Sequence, residues 1–258
     1  MIIVIGYFGI LFIHAELNNR LYMKSILDNS NGNSGLPRPI RTFVRREGRM
    51  TVAQQRAFIE YWGRFGVEAD DRLLDLDKVF GRSTSGVLEI GFGNGESLAA
   101  MASAHPDVNY LGIEAHRPGV GHLLLRVARL QLTNLRVMCA DAVEVLEKQL
   151  PDACLDRIQI FFPDPWPKTR HHKRRLIQPR NVGLLARKLK PFGQLHLATD
   201  WEDYALSMLD ILSATPELVN TVSGNGFAPR PAWRPITRFE QRGLRFGHVI
   251  RDLLFARR

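Results

Sequence analysis

The chain has 258 residues, of which 45% are hydrophobic and 24% are charged, a composition typical of globular proteins. This length can bury a substantial core in one main domain plus an appendage, so no disulfide framework is required. The formal net charge of +9 at pH 7 favours a polyanionic partner, either a nucleic acid or an anionic membrane surface. The two cysteines, Cys139 and Cys154, form no CxxC pair, so we expect free thiols, a reducing cytosol and no metal site.

The first 13 residues are almost wholly apolar, and a polar stretch follows at residues 28–35. A transmembrane helix needs roughly 18 consecutive apolar residues, and the basic leader and cleavage site of a secretory signal are not evident. We therefore expect residues 1–35 to be a poorly ordered extension without stable membrane association, with Met23 as an alternative start. A membrane-associating tail is the alternative interpretation.

After residue 35 comes a basic segment, and Thr51 is a suitable N-cap for a helix from about residue 51 to residue 63. Short apolar segments then alternate with segments of helical length. The predicted strands are 86–90, 109–114, 136–139, 157–162 and 194–199, with a last one inside 248–255. The predicted helices include 117–131, 142–150 and 201–212. This alternation indicates an α/β fold, a mostly parallel sheet with helices on both faces, whose ligands bind at the carboxyl ends of the strands. We divide the chain into an extension (1–35), a basic segment with its helix (36–80) and a main domain (81–258).

The first predicted strand runs into a glycine-rich turn that contains Gly91, Gly93 and Gly95, and then into a helix. Glycines in such a turn allow the backbone to approach a ligand closely. A dinucleotide site has a further glycine where this chain has Glu96, and places a pyrophosphate at the helix N-terminus. The Glu96 carboxylate repels a pyrophosphate and suits the N-terminus of a helix. We therefore favour S-adenosylmethionine, which carries an ammonium and a sulfonium group, over a dinucleotide.

Three acidic residues accompany this turn. Glu114 ends the second predicted strand, where its carboxylate can accept both ribose hydroxyl protons, and a solvated strand-end carboxylate is the alternative. Asp141 ends the third strand and can reach an adenine edge, or act as N-cap of the next helix, or do both. Glu89 either contacts the ligand or organises the glycine turn.

The fourth predicted strand is followed by Pro163-Asp164-Pro165-Trp166-Pro167. Three prolines make this loop stiff and extended, which suits a side chain that is held against a substrate base. Asp164 can accept hydrogen bonds from donors on the base edge, and Trp166 can stack or form a wall of the pocket. A structural turn with a capping Asp is the alternative.

A basic run begins directly after this loop, with nine Lys or Arg residues and no Asp or Glu between residues 168 and 190. Most basic runs are solvated faces. Because this one starts next to the candidate catalytic loop, we interpret it as a rim that binds phosphates.

These motifs resemble one family, the bacterial tRNA (guanine-N7)-methyltransferases. The similarity spans roughly residues 41–255 and excludes about the first 35 residues. It rests on segments 88–95, 162–168 with its basic continuation at 170–175, Ala198-Thr199-Asp200-Trp201, and Thr237-Arg238-Phe239-Glu240. The 162–175 segment is highly specific, whereas the glycine turn alone is not. The resemblance implies a Rossmann-like class I methyltransferase fold with a mostly parallel seven-stranded sheet.

The resemblance also implies roles for individual residues. Asp164 is expected to be catalytic, and the tRNA guanine in the variable loop to be the methyl acceptor. The residues expected at the S-adenosylmethionine site are Glu89, Gly91, Glu114, Asp141 and Asp164. The residues expected to contact the substrate are Lys168, Asp200, Thr237, Arg238, Phe239 and Glu240. The residues expected to contact RNA are Arg170, His171, His172, Lys173, Arg174 and Arg175. The local sequence alone predicts that Asp200 is the N-cap of a helix at Trp201. It also predicts that Thr237 and Glu240 form a capping box.

Two other functions remain open at this stage. A non-catalytic RNA-binding protein on the same fold is disfavoured by the retained acidic residues, and a small-molecule methyltransferase by the basic rim. For the leading hypothesis the expected compartment is the cytoplasm. The sequence leaves open whether the protein is a monomer or a homodimer.

Overall fold

The computed structural model of the protein describes residues 42–43 and 48–258, except for the side chain of Arg238. The apolar start, the polar linker and most of the basic segment at 41–46 lie outside these residues. Among the described residues, no helix is both long and apolar enough to cross a membrane. Cys139 and Cys154 are not joined in a disulfide, as predicted, and burial raises the pKa of the Cys154 thiol to about 11.

Seven strands form one sheet in the described part of the chain. They are β1 (Gly86–Ile90), β2 (Asn109–Ile113), β3 (Leu135–Met138), β4 (Leu155–Phe161), β5 (Leu189–Thr199), β6 (Leu218–Asn220) and β7 (Arg251–Arg257). The strand order is β3-β2-β1-β4-β5-β7-β6. The first five strands pair in parallel, and β7 is antiparallel to both of its neighbours. The mostly parallel seven-stranded sheet is therefore confirmed.

The helices form two groups, and each helix contacts at least one other member of its group. The first group is α1 (Val52–Phe65), α3 (Glu96–Ala104) and α4 (Arg117–Arg129), and the second is α5 (Ala142–Lys148), α6 (Pro179–Lys188) and α7 (Glu202–Ser213). Two short helices, α2 (Leu76–Phe80) and α8 (Arg238–Arg245), and a 3-10 helix (Thr169–Arg174) lie in the connections. Thr51 is the N-cap of α1, as predicted, and forms a capping box with Gln54.

The register of the parallel strands brings their carboxyl ends to one edge of the sheet. Glu89 in β1 lies opposite Gly112 in β2 and Gln159 in β4. Most residues inside the strands are buried and apolar, because a parallel sheet is covered on both faces. The glycine turn, Glu114 and the loop after β4 consequently meet at the same edge, where ligands bind in folds of this type.

Candidate active site

A cavity of about 410 Å³ opens at the carboxyl ends of β1, β2 and β4. Backbone and side chains of the glycine turn, of the segment after β2 and of the loop after β4 form its wall. Its lining includes Phe43, Gly91, Gly93, Glu114, His116, Ala140, Ala142, Phe162 and Asp164. A pocket bounded by apolar and aromatic groups with a few convergent polar groups is typical of a cofactor site.

The glycine turn is shaped to admit a ligand. Gly91, Gly93 and Gly95 have φ values of 75°, 57° and 69°, a region that favours glycine. A Cβ atom at Gly91 or Gly93 would meet no atom within 4 Å, whereas one at Gly95 would lie 2.6 Å from the Leu123 side chain. The first two glycines therefore leave the cavity open, and the third allows α3 to pack against α4.

Glu114 fixes this turn through its own carboxylate. Oε2 of Glu114 accepts a hydrogen bond from the Gly93 amide at 2.9 Å, and Oε1 accepts one from the His116 amide at 2.8 Å. Glu114 is therefore not merely a solvated strand-end residue, because it joins the glycine turn to the start of α4. A carboxylate has about four acceptor sites, so each oxygen retains capacity for a ligand hydroxyl.

Glu89 is buried beneath the turn. Its Oε2 accepts a hydrogen bond from the Gln159 side-chain amide at 2.7 Å. Burial, only partly offset by this hydrogen bond, raises the pKa of Glu89 to about 7. Glu89 does not line the cavity, so its predicted contact with the methyl donor remains a prediction.

Asp141 is the N-cap of α5, and its Oδ1 accepts a hydrogen bond from the Val143 amide at 2.9 Å. This is the role expected from local sequence. Its neighbours Ala140 and Ala142 line the cavity. The structure therefore places Asp141 beside the cavity without showing the predicted contact to adenine.

The loop after β4 places Asp164 at the edge of the cavity. The backbone of this loop is strained at both ends, since Phe162 and Trp166 have φ values of 53° and 46°. Such conformations are costly for residues other than glycine and persist only where the surroundings hold them in place. Trp166 is fixed by a hydrogen bond from Nε1 to the Thr42 carbonyl at 3.4 Å, and the Arg174 guanidinium lies 4.1 Å from its ring centroid.

Arg175, which the sequence assigns to RNA contact together with residues 170–174, is buried in the structure. It is only 3% exposed, and its Nε donates a hydrogen bond to the Pro165 carbonyl at 2.9 Å. Its guanidinium also pairs with Asp203 and lies 4.6 Å from the Tyr204 ring centroid. Arg175 therefore faces inward, and its partners join the loop of Asp164 to the start of α7.

The remaining basic residues of this segment lie closer to the surface. Lys168, Arg170 and Lys173 are exposed, whereas His171, His172 and Arg174 are partly buried. His172 Nε2 is 3.0 Å from an Arg175 guanidinium nitrogen. The later cations of the run lie elsewhere: Arg180 and Lys188 pair with Glu147 and Asp152, respectively. We refer to residues 168–174 as the basic rim at this loop.

Asp200 and the segment at residues 237–240 both contact other side chains of the protein. Asp200 is not the N-cap of α7, which is Trp201, and its Oδ2 lies 2.8 Å from His248 Nδ1. Thr237 and Glu240 form the capping box expected from local sequence. The ring centroid of the exposed Phe239 lies 5.2 Å from that of Phe162, so the segment packs against the loop after β4.

Glu240, for which a substrate contact is predicted, is buried. Its two carboxylate oxygens accept hydrogen bonds from the Arg234 guanidinium at 2.7 and 3.0 Å. Arg234 also contacts Asp252, which in turn lies 2.7 Å from His196 Nε2. The sequence interpretation missed this buried network, although polar residues inside the apolar runs of β5 and β7 signal it.

The cavity meets the chemical requirements of a cationic methyl donor. The open positions at Gly91 and Gly93 provide a cradle that side chains would fill, and Glu114 and Asp164 give its wall acidic character. Among the described residues, no cluster of three or more His, Cys, Asp or Glu side chains is arranged to hold a metal ion. The sheet order and this site define a class I S-adenosylmethionine-dependent methyltransferase.

Comparisons with known proteins agree with this class. The family described as "Putative methyltransferase" matches residues 83–253. The solved structure of the 16S rRNA methyltransferase KamB has a TM-score of 0.50 at 14% identity, covering 72% of this chain and 94% of that one. At that identity the likeness shows the fold alone.

Two bacterial relatives define the family more closely. The chain is 59% identical over 223 residues to the tRNA (guanine-N(7)-)-methyltransferase of Alkalilimnicola ehrlichii, covering 86% of this chain and 94% of the relative. It is 56% identical over 223 residues to the protein of the same name from Halorhodospira halophila, covering 86% of this chain and 96% of the relative. The chain belongs to the bacterial tRNA (guanine-N7)-methyltransferase family.

Proposed function

We propose that the protein transfers a methyl group from S-adenosylmethionine to N7 of a guanine in the variable loop of tRNA. The relatives' activity supports this proposal, and one observation on this chain carries it. Asp164 stands at the edge of the donor cavity on a strained loop, and a basic surface at residues 168–174 begins directly beside it. The arrangement suits a base presented by a polyanion.

The reaction makes modest chemical demands on the side chains. Guanine N7 has an in-plane lone pair and no proton, so its methylation requires no general base. When bound, the donor supplies an electrophilic sulfonium methyl group. The contribution of the protein is then alignment of the acceptor with that methyl group, together with stabilisation of the positive charge that develops on the purine.

Asp164 serves both purposes in this proposal. Its carboxylate accepts hydrogen bonds from the guanine edge and places negative charge near the ring as the ring becomes cationic. The contacts that maintain the strained loop, among them the Arg175 bond to the Pro165 carbonyl and the Trp166 bond to the Thr42 carbonyl, hold this carboxylate in position. Asp200 directly follows β5, further along the same edge of the sheet, and its hydrogen bond with His248 orients it.

The basic residues at 168–174 bind tRNA phosphates in the proposal, and Lys168 contacts the substrate nearest to Asp164. The protein acts in the cytoplasm and needs no metal, since the methyl donor is itself the electrophile. A non-catalytic RNA-binding protein would retain the rim without needing the strained loop. A small-molecule methyltransferase would need the cavity but not the rim.

Methyl transfer by the purified full-length chain tests this function. Unmodified tRNA transcripts are incubated with tritiated S-adenosylmethionine, digested to nucleosides and separated. We expect the label in 7-methylguanosine and at least a ~10²-fold slower reaction for Asp164→Asn, the typical cost of losing one electrostatic stabiliser. Label in another nucleoside would contradict the assignment of N7, and no label despite tRNA binding would favour the non-catalytic alternative.

A further inference from the structure

An exposed apolar surface includes Phe239 of the predicted substrate segment and continues beyond that segment to residue 249. Phe239 is 57% exposed, Phe246 is 70% exposed and Val249 is 61% exposed. All three belong to α8 or the turn that follows it. Large apolar side chains clustered on a surface generally mark a site of interaction. We refer to the exposed residues of α8 and residues 246–249 as the α8 surface.

The α8 surface adjoins the entrance of the cavity. Phe239 packs against Phe162 of the loop after β4, with 5.2 Å between ring centroids. At its other end, His248 Nδ1 lies 2.8 Å from Asp200 Oδ2. A Cβ atom at Gly243 would lie 3.5–3.6 Å from His248 and Asp200 atoms. The surface is therefore held directly beside the predicted acceptor site.

The charge of this surface is positive. Arg242 and Arg245 are exposed, and the Arg242 guanidinium lies 6.0 Å from the Phe246 ring centroid. Between residues 229 and 251 the sequence contains a single carboxylate, Glu240, and it is buried against Arg234. Interleaved arginines and exposed aromatic rings are typical of surfaces that bind single-stranded nucleic acid.

We propose that the α8 surface binds an unpaired stretch of the tRNA next to the target guanine, with a base stacked on Phe246 and phosphates near Arg242 and Arg245. This inference rests on the proposed function and adds a second RNA contact, separate from residues 168–174. A second copy of the chain is the less suitable occupant. Two such surfaces would bring like charges together, whereas a polyanion is complementary to them.

The effect of losing the ring is measurable. Alanine substitution of an aromatic residue that stacks on a base typically weakens binding by about 5- to 150-fold. We expect Phe246→Ala to lower tRNA affinity within this range and to leave the salt dependence of binding unchanged, because no phosphate contact is lost. Phe246→Trp should restore affinity, since it keeps a stacking ring. Arg242→Gln with Arg245→Gln should instead reduce the salt dependence.

The matched control is Phe192→Ala. Phe192 is 83% exposed but lies near the amino end of β5, away from the cavity at the carboxyl ends. Binding of an unmodified tRNA transcript is measured for each variant, together with its thermal unfolding and its sedimentation. Equal tRNA affinities of Phe246→Ala and Phe192→Ala would overturn the inference. It would also be overturned if the parent protein sedimented as a homodimer that Phe246→Ala, but not Phe192→Ala, dissociates. Methylation of the same transcript by the parent protein tests the proposed function separately, so the two failures are distinguishable.

Discussion

Replacing Arg175 should slow methyl transfer without changing the salt dependence of tRNA binding. Arg175 lies within a basic run that suggests phosphate contacts, yet its guanidinium is buried against Pro165, Asp203 and Tyr204. Arg174 is adjacent in sequence and lies over the Trp166 ring nearer the surface. Comparing the variants Arg175→Ala and Arg174→Ala therefore distinguishes the role of positioning the loop, expected for Arg175, from the role of binding RNA, expected for Arg174.

The size of the effect follows from the contacts that are lost. The charge-assisted bond to the Pro165 carbonyl contributes about 1.5–3 kcal/mol, and the contact with Tyr204 about 1–2 kcal/mol. The pair with Asp203 adds at most about 1 kcal/mol, since Asp203 is largely exposed. We expect the free energy of unfolding to fall by about 2.5–6 kcal/mol in total. Turnover should fall by about 10- to 100-fold, because a displacement of about 1 Å at a reacting group has such an effect.

The assay combines tRNA binding across a series of salt concentrations with single-turnover methylation. Arg174→Ala should lower the slope of log affinity against log salt by about one phosphate contact, whereas Arg175→Ala should leave it at the parent value. Arg175→Lys keeps the charge but loses the fixed fork geometry of the guanidinium. Its turnover should therefore remain slow, while its free energy of unfolding should fall less than that of Arg175→Ala. A reduced salt slope in Arg175→Ala, with turnover unchanged, would refute the positioning role.

Two further predictions concern carboxylates of the site. Asp164→Asn keeps the shape of the side chain but loses its charge, so donor affinity measured by calorimetry should change far less than the turnover rate. If donor affinity and turnover rate fell by the same factor, Asp164 would act in donor binding alone. Burial raises the pKa of Glu89 from 4.5 to about 7. Between these two pH values the folded state therefore binds more protons than the unfolded state. The free energy of unfolding consequently falls as the pH rises through this range. Glu89→Gln should remove this dependence and stabilise the protein above pH 7 by up to about 3 kcal/mol. An unchanged profile of melting temperature against pH would contradict the burial of an ionisable Glu89.

The elements with strong local signals were predictable from the sequence. The β1 bounds and the N-cap at Thr51 agree with the structure, because a short apolar run and a capping residue specify them locally. The strand β6 was missed, since it has only three residues and pairs at the sheet edge. The helix α6 was obscured by the basic run in which it lies.

The individual roles of charged residues were harder to predict. Arg174 and Arg175 are adjacent and chemically identical, so only the fold reveals that Arg175 points inward. Glu240 fits a capping box and a substrate contact equally well until Arg234 is placed beside it. Local periodicity specifies the elements, whereas long-range packing decides which charges reach solvent.

The central claim is that guanine N7 accepts the methyl group. The most direct test uses two tRNA transcripts that differ only at the target position, one with guanosine and one with 7-deazaguanosine. The deaza base has a carbon in place of the N7 lone pair and retains its Watson–Crick edge. Both tRNAs should bind with similar affinity, because phosphate contacts dominate binding, and only the guanosine tRNA should be methylated. Methylation of the deaza substrate at the target base would show that another atom is the acceptor and would contradict the role assigned to Asp164.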